Sequence, residues 1–262
     1  MSDQPASASF RARLLARELL LGTFIKTPVS HPVEILGSVG FDFVVLDQEH
    51  APFDRVTVDN LVLAGQAAEI AVLVRVPGSD ARDILPPLDC GARGVLVPHV
   101  DGAAKAEDVV AEARYRGGRR GFTNSSRAGR YGAAGFQEHV ATGDSQSAVL
   151  AMIEDVAALD VLPQIMAVPG LDAVFIGRGD LSTALGVDNP SAPPVVAATE
   201  KIAAAARAAD KPLCAHVGRL DAPEVAWLRS LGVSAFILSS DQGLMRSAAL
   251  QALGQFAALR RD

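Results

Sequence analysis

Asp47 and His50 are the first residues along the chain whose types and spacing could perform catalysis. They lie three residues apart in Asp47-Gln48-Glu49-His50, directly after an apolar run that ends at Leu46. A carboxylate that accepts the Nδ1 proton of an imidazole fixes its tautomer and raises the basicity of the other ring nitrogen. The pair is therefore predicted to act as a general acid or base. The same spacing also suits a loop cap, and that alternative stays open.

Glu154 and Asp180 form a second pair, because each follows an apolar run of the kind that makes a buried strand. The ends of adjacent parallel strands lie about 5 Å apart, so the two carboxylates are expected to converge. Two carboxylates held together repel each other unless a cation lies between them. Since neither motif contains a lysine, the predicted cation is a divalent metal ion with oxygen ligands. The alternative is that Glu154 is a residue at a helix N-terminus and that Asp180 is the N-cap of a helix.

Arg75 lies inside an apolar run, residues 72–76, and is the third candidate. A guanidinium among strand residues needs an anion, because an unpaired charge is costly to bury. The anion could be a structural carboxylate or a substrate, and the residues alone leave both possibilities open.

Eight apolar runs must position these side chains, and helical stretches separate most of them. The runs are residues 20–25, 41–46, 72–76, 95–98, 149–153, 173–176, 213–217 and 235–238. Helical periodicity occurs in residues 57–70, 101–114, 194–209 and 221–231. Eight strands alternating with helices predict an α/β fold, a (β/α)8 TIM barrel that spans residues 1–262 as a single domain. A doubly wound open sheet is the rival architecture.

Three segments fall outside this alternation. Residues 116–144 are rich in Gly, Arg and Ser and poor in apolar residues, which predicts a long functional loop or arm. Residues 1–12 are polar and small, and they are predicted to be frayed. Residues 243–260 are predicted to form a C-terminal helix.

The composition excludes several kinds of partner. The chain has 262 residues, a formal net charge of −6 and a pI near 5.4, without a basic stripe. Neither nucleic acid nor an anionic membrane is therefore expected to bind. The chain has two cysteines, no apolar run near 18 residues and no signal-peptide pattern, which together predict a cytoplasmic protein.

Five motifs together resemble the HpcH/HpaI aldolases, which are metal-dependent class II pyruvate aldolases. The motifs are Asp47-x-Glu-His50, Val74-Arg75-Val-Pro77, Asp89-Cys-Gly-Ala92, Met152-Ile-Glu154 and Phe175-Ile-Gly-Arg-Gly-Asp-Leu-Ser182, and the match spans residues 21–241. The resemblance implies a (β/α)8 barrel whose last helix is swapped into a partner subunit. It also implies a homo-oligomer, commonly a hexamer built as a trimer of dimers.

The resemblance implies roles for the charged residues. Glu154 and Asp180 match the ligands of a divalent metal ion, for which Mg2+, Mn2+ and Co2+ are the candidates. Arg75 matches the arginine that holds the keto oxygen and stabilises the enolate of a 2-oxo acid. Asp89 matches the acid that supports this arginine.

The resemblance also implies how the substrates are handled. His50, paired with Asp47, matches the acid/base. The backbone N–H groups of Gly179 and Asp180 match the pair that receives the substrate carboxylate, which is consistent with anion binding at a helix N-terminus. The implied reaction is a reversible aldol addition of pyruvate or hydroxypyruvate to an aldehyde, with 4-hydroxy-2-oxo acids as products.

Two departures from the family pattern affect the pocket, and three other functions stay open. Met152 stands where many relatives have glutamine, and Arg178 stands where they often have proline.

A Schiff-base aldolase would need a lysine at a strand end, where only Lys26 qualifies. A barrel lyase acting on acyl-CoA thioesters would share the two acids and the arginine. A non-catalytic barrel would bind 2-oxo acids without turnover.

Overall fold

A computed structural model describes residues 9–260, and its centre is a closed parallel barrel. The eight strands are β1 (Leu20–Ile25), β2 (Phe43–Asp47), β3 (Ala71–Arg75), β4 (Gly94–Val97), β5 (Ala148–Ile153), β6 (Ala173–Ile176), β7 (Leu213–Val217) and β8 (Val233–Ser240). Each strand pairs with its neighbours in sequence, and β8 closes the barrel on β1. The predicted (β/α)8 barrel is confirmed, and the open-sheet alternative is wrong.

Eleven α-helices occur among the described residues, and most of them follow a strand. They are α1 (Phe10–Leu15), α2 (His31–Ser38), α3 (Arg55–Ala67), α4 (Ala81–Asp89), α5 (Ala103–Ala113), α6 (Phe136–Gln146), α7 (Leu162–Met166), α8 (Arg178–Ala184), α9 (Pro193–Ala208), α10 (Pro223–Leu231) and α11 (Asp241–Leu259). No helix in residues 9–260 is both long enough and apolar enough to cross a membrane.

The strands are apolar on both faces because both faces are buried. Along β2 and β3, Val44 and Val74 pack outward in the core between strands and helices, whereas Phe43 and Leu73 point into the barrel. Side chains of a strand alternate between its faces, so a strand covered on both sides shows a continuous apolar run in the sequence. This explains why apolar runs located the strands.

Helix α1 closes the N-terminal end of the barrel. Phe10 and Leu14 are buried among the interior residues, and the rings of Phe10 and Phe43 have centroids 5.1 Å apart. The prediction that residues 1–12 are frayed is wrong from Phe10 onward, because these apolar side chains complete the interior core. Residues 1–8 lie outside the described residues.

The segment 116–144 is only partly a loop. The chain is irregular over residues 114–135, apart from a short 3-10 turn, and we call these residues the arm. Helix α6 follows and buries His139 and Val140 on one side. The prediction of a loop throughout 116–144 is therefore wrong for its final part. Only the fold supplies the surface against which this weakly apolar helix packs.

Helix α11 begins at Asp241, slightly before the predicted start, and has no buried residue. It exposes five large apolar side chains: Met245, Leu250, Leu253, Phe256 and Leu259. Several large apolar side chains exposed on one helix are typical of a protein–protein contact. We propose that a second copy of the chain covers it in a homo-oligomer.

The Leu253→Asp substitution should weaken this association, because it places a charge in an apolar contact. We expect a lower molar mass than for the wild type when the variant is measured by light scattering after size-exclusion chromatography. Gln251→Asp is the matched control, since Gln251 lies on nearly the opposite side of α11. A monomeric wild type, or an unchanged mass for Leu253→Asp, would contradict the proposal.

Candidate active site

Asp47 and Arg75 are the last residues of β2 and β3 and lie side by side in the barrel register. Each lies two positions beyond an interior residue, Val45 or Leu73, so both side chains point into the barrel. Arg75 Nε donates to Asp47 Oδ1 at 2.9 Å, and Arg75 Nη2 donates to Asp47 Oδ2 at 2.7 Å. Both residues are buried. The guanidinium is therefore fixed by a bidentate contact at the C-terminal end of the barrel, where catalytic groups of such barrels lie.

Lys26 and Glu49 add one cation and one anion to this pair. Lys26 Nζ lies 3.1 Å from Asp47 Oδ2, and Arg75 Nη1 lies 3.2 Å from Glu49 Oε2. Burial alone would raise the pKa of Asp47, but the hydrogen bonds and charge of Arg75, together with Lys26, outweigh it and hold this pKa below its usual value. Asp47 is thus an anion that orients Arg75.

The predicted pairing of Asp47 with the His50 imidazole is wrong. Asp47 Oδ1 accepts the backbone N–H of His50 at 3.1 Å. The imidazole itself is mostly exposed, and its Nε2 lies 3.6 Å from Glu49 Oε2. The loop-cap interpretation is correct because Asp47 caps this backbone N–H, while both of its carboxylate oxygens also bind Arg75. His50 lies at the same edge of the barrel, with Glu49 as its nearest acid.

Glu154 and Asp180 converge at the ends of β5 and β6. Glu154 directly follows β5 and is 2% exposed, and Asp180 lies in the first turn of α8, just beyond β6. Burial, opposed by the N–H of His99 and reinforced by the charge of Asp180, raises the pKa of Glu154 to about 7. The structure therefore places two acids together where a cation would stabilise both.

A divalent metal ion fits this acid pair. The donors are carboxylate oxygens, which Mg2+ and Mn2+ prefer, and Mg2+ commonly binds one or two protein carboxylates with water and substrate oxygens completing its shell. Within residues 9–260, no group of three or more His, Cys, Asp or Glu side chains could hold a metal ion by itself. Glu154 and Asp180 therefore suit a site that water and substrate complete.

His99 positions Glu154 from the end of β4. Its φ of 54° is uncommon for a residue with a side chain, and the N–H of this residue donates to Glu154 Oε1 at 2.8 Å. His99 Nδ1 lies 3.1 Å from Asp155 Oδ2. Burial lowers the pKa of the imidazole, but Asp155, Glu154 and Glu49 outweigh this and raise it. In the sequence, the signal for this role of His99 was its position directly after an apolar run.

Asp89 does not belong to this site within one chain. It ends α4, and a helix that follows a barrel strand runs back toward the N-terminal ends of the strands. Asp89 Oδ1 accepts a hydrogen bond from Arg120 Nη2 at 3.1 Å. The acids that contact Arg75 are Asp47 and Glu49. The prediction that Asp89 supports Arg75 is therefore wrong for a single chain.

A cavity of about 340 Å³ opens beside these residues at the C-terminal ends of the strands. Arg75, Gly179 and Asp180 line it, together with Lys26, Met152 and Arg178, which the sequence also singled out. The lining residues to which the sequence assigned no role are His216, Ser239 and Ser240. Most of them end or follow apolar runs, and this position was the available signal for them.

Arg178 is a structural residue at the rim of this cavity. Its Nη1 donates to Glu224 Oε2 and its Nη2 donates to the backbone carbonyl of His216, both at 3.1 Å. These bonds join the start of α8 to β7 and α10. Burial, reinforced by the charge of Arg178, lowers the pKa of His216. The arginine that departs from the family pattern thus connects three elements at the rim.

Known proteins share this fold over nearly the whole chain. The HpcH/HpaI aldolase/citrate lyase family model matches residues 21–218. A 5-keto-4-deoxy-D-glucarate aldolase of Klebsiella pneumoniae is 36% identical, with 91% of this chain and 93% of the relative covered. A hydroxypyruvate/pyruvate aldolase of Roseobacter denitrificans is 32% identical, with 97% and 91% covered. The structure of citrate synthase SbnG matches with a TM-score of 0.87 at 30% identity, with 97% of this chain and 99% of that chain covered.

Gly177 allows the end of β6 to approach Glu154. A Cβ atom at Gly177 would lie 2.4 Å from the Cβ of Glu154. We therefore expect Gly177→Ala to displace Glu154 and to weaken Mn2+ binding about 10-fold or more, measured by titration calorimetry. Gly218→Ala is the matched control, because no atom lies within 4 Å of a Cβ there, and it should keep wild-type affinity. Wild-type Mn2+ affinity in Gly177→Ala would argue against Glu154 as a ligand.

Proposed function

The chain belongs to the HpcH/HpaI aldolase/citrate lyase family, and from this membership and its site we propose that it is a metal-dependent class II aldolase. It is a carbon–carbon lyase, and the substrates we propose are pyruvate or hydroxypyruvate and an aldehyde. The observation that carries this proposal is the bidentate contact of Arg75 with Asp47 beside the acid pair Glu154 and Asp180.

Arg75 would stabilise the charge that develops when a 2-oxo acid loses a proton from the carbon beside its keto group. Two of its five N–H donors bind Asp47, and the remaining donors can bind Glu49 and the enolate oxygen. Because Asp47 already fixes the guanidinium, little reorganisation is needed as the charge develops. A divalent ion held by Glu154 and Asp180 would supply Lewis-acid stabilisation of the same charge.

His50 would transfer a proton at the hydroxyl oxygen of the aldol product. Its imidazole lies at the mouth of the barrel and is accessible to solvent, so water can connect it to a bound substrate. Asp47 does not orient this ring, since it binds only the backbone N–H of His50. Glu49, 3.6 Å from Nε2, is the carboxylate that we propose for this role.

The backbone N–H groups of Gly179 and Asp180 would bind the substrate carboxylate. The first N–H that bonds within α8 is that of Leu181, which donates to the Gly177 carbonyl at 3.1 Å. The preceding N–H groups therefore have no acceptor inside the helix. Such groups attract anions, and Gly179 and Asp180 line the cavity beside Arg75.

Arg75→Lys should lower turnover about 10² to 10³-fold, because an ammonium cannot reproduce the planar contact with Asp47 and the enolate. The measurement is the rate of aldol cleavage of a 4-hydroxy-2-oxo acid, followed by pyruvate release. The thermal midpoint is recorded beside it to verify folding. Arg82→Lys, at an exposed arginine on α4, should behave as wild type. Wild-type turnover in Arg75→Lys would remove Arg75 from the mechanism.

His50→Ala should reduce the rate of aldol cleavage about 10² to 10⁴-fold while leaving the affinity for pyruvate nearly unchanged. The reason is that the proposed binding groups, Arg75 and the N–H groups of Gly179 and Asp180, remain. Turnover and pyruvate affinity are measured separately, with His31→Ala on α2 as the surface control. Weak pyruvate binding with normal turnover at saturation would show that His50 is a binding residue.

The activity should require a divalent ion and should not pass through an imine. Incubation with 2-oxo acids and a panel of aldehydes should yield adducts with Mg2+, Mn2+ or Co2+ and none after chelation. Borohydride with pyruvate should leave activity unchanged, because Lys26 forms an ion pair with Asp47 at 3.1 Å.

Different outcomes identify the alternatives. Chelator-resistant activity that borohydride abolishes in the presence of pyruvate would indicate a Schiff-base enzyme. The absence of a borohydride-trapped pyruvate adduct in Lys26→Met would then assign the imine to Lys26. Cleavage of acyl-CoA thioesters without aldol chemistry would indicate a thioester lyase. Pyruvate binding without turnover of any substrate would indicate a non-catalytic barrel.

A further inference from the structure

A second cavity, of about 430 Å³, lies away from the candidate active site. Arg93 and Ser147 line it, and they directly precede β4 and β5, so the cavity reaches the N-terminal ends of these strands. The proposed catalytic groups lie at the C-terminal ends, separated from this point by the length of the strands. Four arginines line the cavity: Arg93, Arg120, Arg127 and Arg130.

Arg120 is buried without enough partners for its donors. Its side chain is 1% exposed, and its Nη2 donates to Asp89 Oδ1 at 3.1 Å. The ring of Tyr115 covers one face of the guanidinium at 4.3 Å. Nε and Nη1 are buried and have no hydrogen-bond partner among the described residues. Unsatisfied donors on a buried cation are costly, so this side chain would gain from an acceptor within the cavity.

The other arginines differ in how far their charge is neutralised. Arg127 binds Asp59 through two hydrogen bonds, and Arg130 donates to Glu138. Arg93 instead donates to the neutral Oε1 of Gln146 at 2.8 Å, and within residues 9–260 it forms no salt bridge.

The charge in this cavity is therefore unbalanced. Arg93 has no acidic partner among the described residues, and Arg120 has Asp89 at only one nitrogen. Among the described residues, Glu138 is the only acid that lines the cavity together with the four arginines, and Arg130 already binds it. A small anion would thus meet two guanidinium groups whose donors are incompletely used.

We propose that this cavity binds a small oxyanion, a phosphate or a polycarboxylate, through Arg120 and Arg93. Phosphate and carboxylate oxygens accept N–H bonds from guanidinium groups in the planar geometry that arginine offers. This cavity is separate from the proposed catalytic centre, and Arg75 is not among the residues that line it. A ligand here would act on the structure of the barrel wall and the arm, since in such barrels chemistry takes place at the opposite face.

The oxyanion would join the arm to the barrel wall. Arg120 belongs to the arm, whereas Arg93 immediately precedes β4. The arm also contacts α4, because the N–H of Ala128 donates to the Asp89 carbonyl at 3.1 Å. An anion shared by Arg120 and Arg93 would add a connection from the arm to the start of β4 and stabilise the folded arm.

The test is titration calorimetry of the full chain in Tris-chloride buffer, with inorganic phosphate and citrate as separate probes. We expect one probe to bind saturably, once per chain, and to raise the thermal midpoint. Arg120→Met and Arg93→Gln should each weaken its affinity about 10-fold, as expected for losing charge-assisted hydrogen bonds. Phosphate binding identifies a phosphate ligand, and citrate binding identifies a carboxylate ligand.

Two controls and the second test variant keep this test decisive. Arg82→Gln, at an exposed arginine on α4, should leave the affinity unchanged. Arg75→Gln should also leave it unchanged, which separates this cavity from the proposed active site. Arg93→Gln alters an exposed residue and remains informative if Arg120→Met does not fold. The proposal is overturned if neither probe saturates, or if binding is lost in Arg75→Gln and kept in Arg93→Gln.

Discussion

The contact between Asp47 and Arg75 determines how the other charged groups at the barrel mouth are arranged. The pairing register of the barrel places the ends of β2 and β3 side by side. Asp47 and Arg75 are both buried, and each charge offsets the desolvation cost of the other. Because Asp47 is committed to Arg75, it cannot orient the His50 imidazole, and Glu49 is the acid nearest that ring. The arginine is in turn held by Asp47 along one edge, and the donors that neither Asp47 nor Glu49 engages are available for an oxygen of a substrate.

Charge is distributed unevenly around the mouth, and this favours an anionic, chelating substrate. Beside β1–β3, Lys26 and Arg75 are balanced by Asp47 and Glu49. Beside β5 and β6, burial and the charge of Asp180 together raise the pKa of Glu154, and His99 offsets this in part among the described residues. A metal ion would balance the acids, and a 2-oxo acid could contact both the ion and the arginine.

The two ends of the barrel carry different chemistry because helices and strands run in opposite directions. Residues that end strands meet at the mouth, whereas residues that end helices meet at the opposite end of the barrel. Asp89 ends α4 and therefore contacts Arg120 of the arm. The arm thus places the incompletely paired guanidinium of Arg120 in a cavity remote from Arg75. This cavity lies at the N-terminal face of the barrel, where residues serve stability rather than catalysis.

Local sequence patterns were sufficient to locate the eight strands and the polar residues at their ends. Apolar runs are local signals, and in a parallel barrel every strand end reaches the same edge, so the convergence of Glu154 with Asp180 followed from strand order. Which partner each charged group takes depends on the three-dimensional fold. Asp47 binds Arg75, 28 residues away, and Asp89 binds Arg120, 31 residues away. Such pairings depend on strand register and on helix direction, which the spacing of residues along the chain does not encode. Conversely, Asp47 and His50 are close in sequence, but their side chains do not pair.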